Sequence, residues 1–155
     1  MKAAPIQLTD YFLTDLHLSA NPKFDPKQPN PIKFSDYQVT FEASLTDHDQ
    51  RSWQLILKLQ LQPPAEANVP YRLSADMVGF VIVHPEVQPD RIERLVKTNG
   101  ASMMFGALRE IIRDTTARGP FAGILLPATS FYEPQDKKPA ELENKTPPAP
   151  PLPAT

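Results

Sequence analysis

Tyr37-Gln38-Val39-Thr40-Phe41-Glu42-Ala43-Ser44-Leu45-Thr46 places apolar or small side chains on odd positions and polar ones on even positions throughout. After the polar turn at 47–51, Trp53, Leu55, Leu57, Leu59 and Leu61 alternate with Gln54, Ile56, Lys58, Gln60 and Gln62. A period of two puts one set of side chains on a dry face and the other on a wet face, as in a half-buried strand. Two such runs joined by a turn this short predict an antiparallel hairpin.

Outward from the hairpin the pattern continues in both directions. A weaker alternation opens the chain, with Ile6, Leu8, Phe12, Leu16 and Leu18 on one parity, blurred by Tyr11 and Leu13. Residues 71–83 are again extended, and from Val78 to Val83 both parities are apolar, which predicts a strand end covered on both faces. Four antiparallel strands in sequence order are the expectation.

The period then changes to 3.6. Ile92, Leu95 and Val96 share one face of a short segment opened by Pro89 and Asp90, and Asn99-Gly100 predicts its end. From Ala101 to Arg118 a stripe of Met104, Leu108, Ile111, Ile112 and Thr115 opposes Arg109, Glu110, Arg113 and Asp114, and Gly119-Pro120 stops the helix. Residues 121–132 read as an apolar crossover. The fold class is therefore α+β, a four-stranded antiparallel sheet with helices packed on one face.

Composition bounds the rest. A chain of 155 residues has room for one domain. There are 19 prolines against 5 glycines, and seven prolines fall within the last 22 residues. This divides the chain into a domain at 1–133 and a proline-rich tail at 134–155, which is too poor in apolar side chains to offset its chain entropy and is expected to be disordered. With no cysteine, disulfides and thiolate chemistry are excluded. Net charge is −2 with both signs mixed along the chain, which gives no footprint for nucleic acid. The N-terminal ten residues carry no apolar run of signal length and no stretch approaches a spanning helix, so the expectation is cytoplasmic, with no membrane insertion.

Chemistry-bearing motifs are missing from the sequence. His17, His48 and His84 share no helical spacing that would build a metal face. No phosphate-cradling glycine loop and no nucleophile elbow is present. The expectation is no catalytic residue, no metal, no cofactor and no enzyme. What remains is apolar surface: Phe24, Phe34, Tyr37, Phe41 and Trp53 in or beside the hairpin, and Met103, Met104 and Phe105 opening the long helix. As a set these exceed what one small core uses, and point to an oligomer interface or a groove for apolar partners.

At the long helix the residues meet a family. Ala107-Leu108-Arg109-Glu110-Ile111, the exit Arg118-Gly119-Pro120-Phe121-Ala122, the crossover from Ile124 to Phe131 and the strand end Gly79-Phe80-Val81-Ile82 together resemble the protein-export chaperone SecB over about residues 5–132. The resemblance implies a homotetramer built as a dimer of dimers, without cofactor, whose apolar grooves hold unfolded polypeptide clients for protein translocation. On this chain it assigns client binding to Phe34, Tyr37, Val39, Phe41, Trp53, Phe121, Leu125 and Phe131. It assigns contact with the SecA translocation motor to Asp15, whereas Ser19, Arg72 and Ser74 depart from the acidic or apolar residues expected beside it. Pro134 and Pro139 interrupt the region where the family has a second long helix. Some SecB-like proteins are dedicated instead to an antitoxin in a toxin–antitoxin system, which is the alternative reading. A small-ligand-binding or enzymatic α+β domain is the alternative of another class.

Overall fold

The computed structural model describes residues 4–132, without the side chain of Phe34. Four strands, β1 (Ile6–Ala20), β2 (Tyr37–Leu45), β3 (Ser52–Leu61) and β4 (Tyr71–Val83), form one antiparallel sheet. The helical segment follows: α1 (Pro89–Leu95), a π turn at Val96–Gly100, and α2 (Ala101–Thr116). The expected tail at 134–155 lies outside the described residues.

The hairpin forms as predicted, antiparallel, with Tyr37 opposite Leu61 and Leu45 opposite Trp53. The strand order is 1-4-3-2 and not the sequence order expected. Strands β2, β3 and β4 run as a meander, and β1 lies beside β4. The long connection through residues 21–36 carries the chain from β1 to the far edge, a Greek-key arrangement. Backbone bonds from Asn21 N–H to the Pro70 carbonyl and from Asn30 N–H to the Asn68 carbonyl tie this connection to the loop before β4.

Two register shifts, between Leu8 and Asp10 and between Leu13 and Asp15, explain why the first strand's alternation is blurred. An extra residue at a bulge exchanges the faces of everything after it. Ile6 and Leu8 pair with Val83 and Val81, Leu13 pairs with Met77, and Leu16 and Leu18 pair with Ala75 and Leu73. All of those β4 partners are buried, so five apolar residues of both parities share the core face. Phe12, opposite Val78, lands instead on the outer face, where its ring lies 6.2 Å from Phe80.

The helices cover the other face. Leu55, Leu57 and Leu59 of β3, Ala75 and Met77 of β4, and Met104, Leu108 and Ile112 of α2 are essentially inaccessible to solvent and form one cluster. Gly79 leaves the space that the Met104 thioether fills, since a Cβ there would collide with its sulfur. Phe105 and Thr116 also belong to the buried stripe, which is rotated slightly from the one read in the sequence. Asn99-Gly100 does not end the helix. Gly100 has ordinary helical dihedrals and the helix continues through the π turn; the missing side chain leaves room for Leu55, whose Cδ1 would stand 2.9 Å from a Cβ.

The end of β4 is covered on one face, not two. Among the described residues no element packs over Ile56, Val78, Phe80 and Ile82, and Ile82 is half exposed. No helix among the described residues is long and apolar enough to cross a membrane.

Candidate polypeptide-binding strip

The segment that follows α2 is held in an unusual way. Residues 120–132 form no regular secondary structure and lie along the helix and the β2 edge. Their backbone is fixed by side chains from distant elements. The Tyr71 hydroxyl accepts from Phe121 N–H at 3.0 Å, with the Thr116 and Phe121 carbonyls as acceptors for its own proton at 2.9 and 3.1 Å. The buried Thr116 hydroxyl donates to the Ile112 carbonyl at 2.7 Å and accepts from Ile124 N–H at 3.0 Å. Arg109 Nε donates to the Leu126 carbonyl at 2.8 Å, and the Tyr37 hydroxyl lies 3.0 Å from Thr129 Oγ1. Ile124 and Leu126 are thereby driven into the core while Leu125, between them, points out and is 54% exposed.

The residues assigned to client binding lie at different depths. Tyr37 and Trp53 are buried at 5% and 8% exposure; Tyr37 stacks on Phe105 with centroids 6.5 Å apart, and the Trp53 indole donates to the Gln50 carbonyl at 3.0 Å. In this chain these two are core, because both belong to the dry parity of the hairpin and lie under the helix layer. Val39, Phe41, Phe121 and Phe131 are half-buried against the core, and Leu125 is on the surface. Phe131 bridges the strip, with its ring 6.3 Å from Phe41 and 5.8 Å from Phe105. Phe121 sits at the other end against Phe24 at 4.9 Å and Tyr71 at 5.8 Å. Phe34 lies in the 3-10 turn Phe34–Asp36, and its side chain is outside the described set.

The structure thus brings Phe41 and Phe131 together at β2, an unpaired edge of the sheet, with Val39 on the same strand face and Leu125 exposed on the crossover. The anchoring role of Tyr71 and Thr116 was missed by the sequence reading; their only signal is two hydroxyls, with partners 45 and 50 residues from Tyr71 and four and eight residues from Thr116. Asp15 is exposed on the outer face, opposite Asp76, with Ser19 opposite Arg72 and His17 opposite Ser74. Asp76 is engaged by Lys58 at 3.6 Å. Among the described residues no group of three His, Cys, Asp or Glu side chains stands ready to hold a metal.

A four-stranded sheet of order 1-4-3-2 followed by a helix and an apolar extended crossover has a counterpart among solved structures. A SecB-like chaperone of Mycobacterium tuberculosis, in complex with a peptide from an antitoxin, superposes with a TM-score of 0.55 at 18% identity, over 84% of this chain and 94% of that one. The chain has a SecB-like fold. A protein of unknown function from Streptococcus agalactiae superposes more loosely, with a TM-score of 0.44 at 16% identity over 81% of this chain and 99% of that chain. No protein-family model matches the sequence, and no curated protein matches it. The SecB-like fold is therefore carried by the geometry and not by overall sequence similarity.

Proposed function

We propose that this chain is an ATP-independent holding chaperone that binds extended, non-native polypeptide along the apolar strip beside β2. The observation that carries the reading is the crossover itself: side chains pin its backbone, leaving Leu125 exposed and Phe121 and Phe131 partly exposed along it, with Phe41 of β2 beside Phe131. The SecB-like fold supports it, and the neighbour's antitoxin peptide favours an antitoxin-like segment as one client. Coupling to export through the motor is the second reading. It draws on Asp15, against which stand Ser19, Arg72 and Ser74. On this reading the protein performs no chemistry and works in the cytoplasm.

Holding rests on apolar burial, at about 25 cal/mol per Å² of surface removed from water, and is expected to persist when salt is raised. The assay is suppression of aggregation of an unfolded client without nucleotide. Leu125→Asp is expected to weaken holding by about fivefold or more, with an unchanged melting temperature, because the side chain contributes contact area but little packing. A wild-type protein that holds neither an unfolded client nor an antitoxin segment rules the proposal out. Client holding without binding to the motor rejects only the export arm.

The unpaired β2 and β1 edges and the open outer face make a second expectation. The chain is proposed to assemble, as a dimer of dimers, since exposed edges otherwise invite uncontrolled pairing. Sedimentation equilibrium at micromolar concentration is expected to give a species heavier than the 17.4 kDa protomer. A single protomer mass counts against it.

A further inference from the structure

At the end of the apolar strip, where Tyr132 follows Phe131, the surface opens into a cleft of about 720 Å³ between the loop after β4, α1 and the π turn. Its volume is within the range of about 300–1,000 Å³ typical of ligand sites. Arg91 and Arg94 both line it, three residues apart and therefore on one face of the helix. Arg94 is held in place, with its guanidinium carbon 5.5 Å from the Tyr132 ring centroid and Nη2 donating to the Tyr132 hydroxyl at 3.3 Å. Among the described residues neither arginine is in an ion pair.

We infer that this cleft is an ionic anchor for the polypeptide that the strip holds, in which Arg91 and Arg94 take a carboxylate side chain of the client. The inference rests on the holding function proposed above and adds a sequence preference to it. Three features select the ligand class. Guanidinium groups favour planar carboxylates, and one stacked on an aromatic ring loses little freedom on binding. Glu86 and Asp90 on the same cleft oppose a multiply charged phosphate and admit a single carboxylate. Leu95 and Tyr132 line the cleft, and Tyr132 directly follows Phe131, so an extended chain that passes Phe131 reaches the cleft within a few residues. An extended chain advances about 3.3 Å per residue, so the preferred acid stands two to four residues, roughly 7–13 Å, beyond the apolar side chain seated at Phe131.

The test uses two labelled extended peptides with one apolar stretch, differing only in Glu or Gln at that spacing, with affinity read by fluorescence anisotropy at low ionic strength. The wild type is expected to prefer the Glu peptide by about fivefold, the scale of an ion pair at a partly exposed site, with the preference shrinking as salt rises. Arg91→Gln together with Arg94→Gln is expected to equalise the two peptides. Arg91→Gln alone, which leaves the Tyr132 stack intact, is expected to lose part of the preference at an unchanged melting temperature. Equal binding of both peptides by the wild type overturns the anchor and leaves the holding function standing. Binding of neither overturns both.

Discussion

Leu108→Ala is expected to lower the free energy of unfolding by about 2–5 kcal/mol, measured by urea denaturation at a fixed protomer concentration. Leu108 is wholly buried, at the centre of the α2 stripe, in the same cluster as Leu57, Leu59 and Met77. Removing its branched end leaves a cavity walled by β-sheet residues that are themselves fixed by the ladder, so the site has little freedom to collapse. A domain of this size has about 5–15 kcal/mol in total, so the loss is a large fraction of it. Ile111, one turn round the same helix and half-buried, is the internal control, with Ile111→Ala expected to cost about 1 kcal/mol. Equal costs at the two positions would mean that α2 presents a different face to the sheet.

The second large effect concerns the crossover. Tyr71→Phe removes the acceptor for Phe121 N–H and the donor to the Thr116 carbonyl, and Thr116→Val removes the acceptor for Ile124 N–H. Each leaves a buried or partly buried backbone group unsatisfied and is expected to cost about 1–3 kcal/mol. The two hydroxyls hold neighbouring points of one segment, so the double variant is expected to cost less than the sum of the singles. Hydrogen exchange distinguishes this from general weakening: protection is expected to fall at Phe121 and Ile124 while amides of β3 keep theirs. Holding should weaken in step, since Leu125 is displayed only because Ile124 and Leu126 are pinned beneath it. Uniform loss of protection across the sheet would show that the two residues support the whole fold and not the strip.

The hairpin and the long helix were legible because each carries an uninterrupted period: odd positions from 37 to 45 and from 53 to 61, and the spacing of Met104, Leu108 and Ile112; β4 was legible as a strand, but its apolar run on both parities hid which face is covered. Strand order was not legible, because the alternation of β1 fits any neighbour with a dry face, and its true partner β4 is specified by the loop contacts of Asn21 and Asn30. The bulges of β1 could be seen only as noise around Tyr11 and Leu13. Asn99-Gly100 carries the sequence of a helix end, but here the glycine leaves room for Leu55 and the helix runs on. At the strip, periodicity identified the apolar residues but not their depth. Tyr37 and Val39 occupy the same parity of the same strand, and only the position of Phe105 and the crossover makes one core and the other partly open. Arg94 and Tyr132 carried no signal at all, being joined across 38 residues by the path of the chain.

The placement of β1 also has a consequence for the order in which the protein is made. Thr9 bonds to the carbonyl of Phe80, 71 residues later, so the first strand leaves the ribosome long before its partner exists. At about 5–20 residues per second the wait is on the order of ten seconds, against microseconds for closing the β2–β3 hairpin. The β2–β3 hairpin can therefore close while the N-terminal strand still waits for β4.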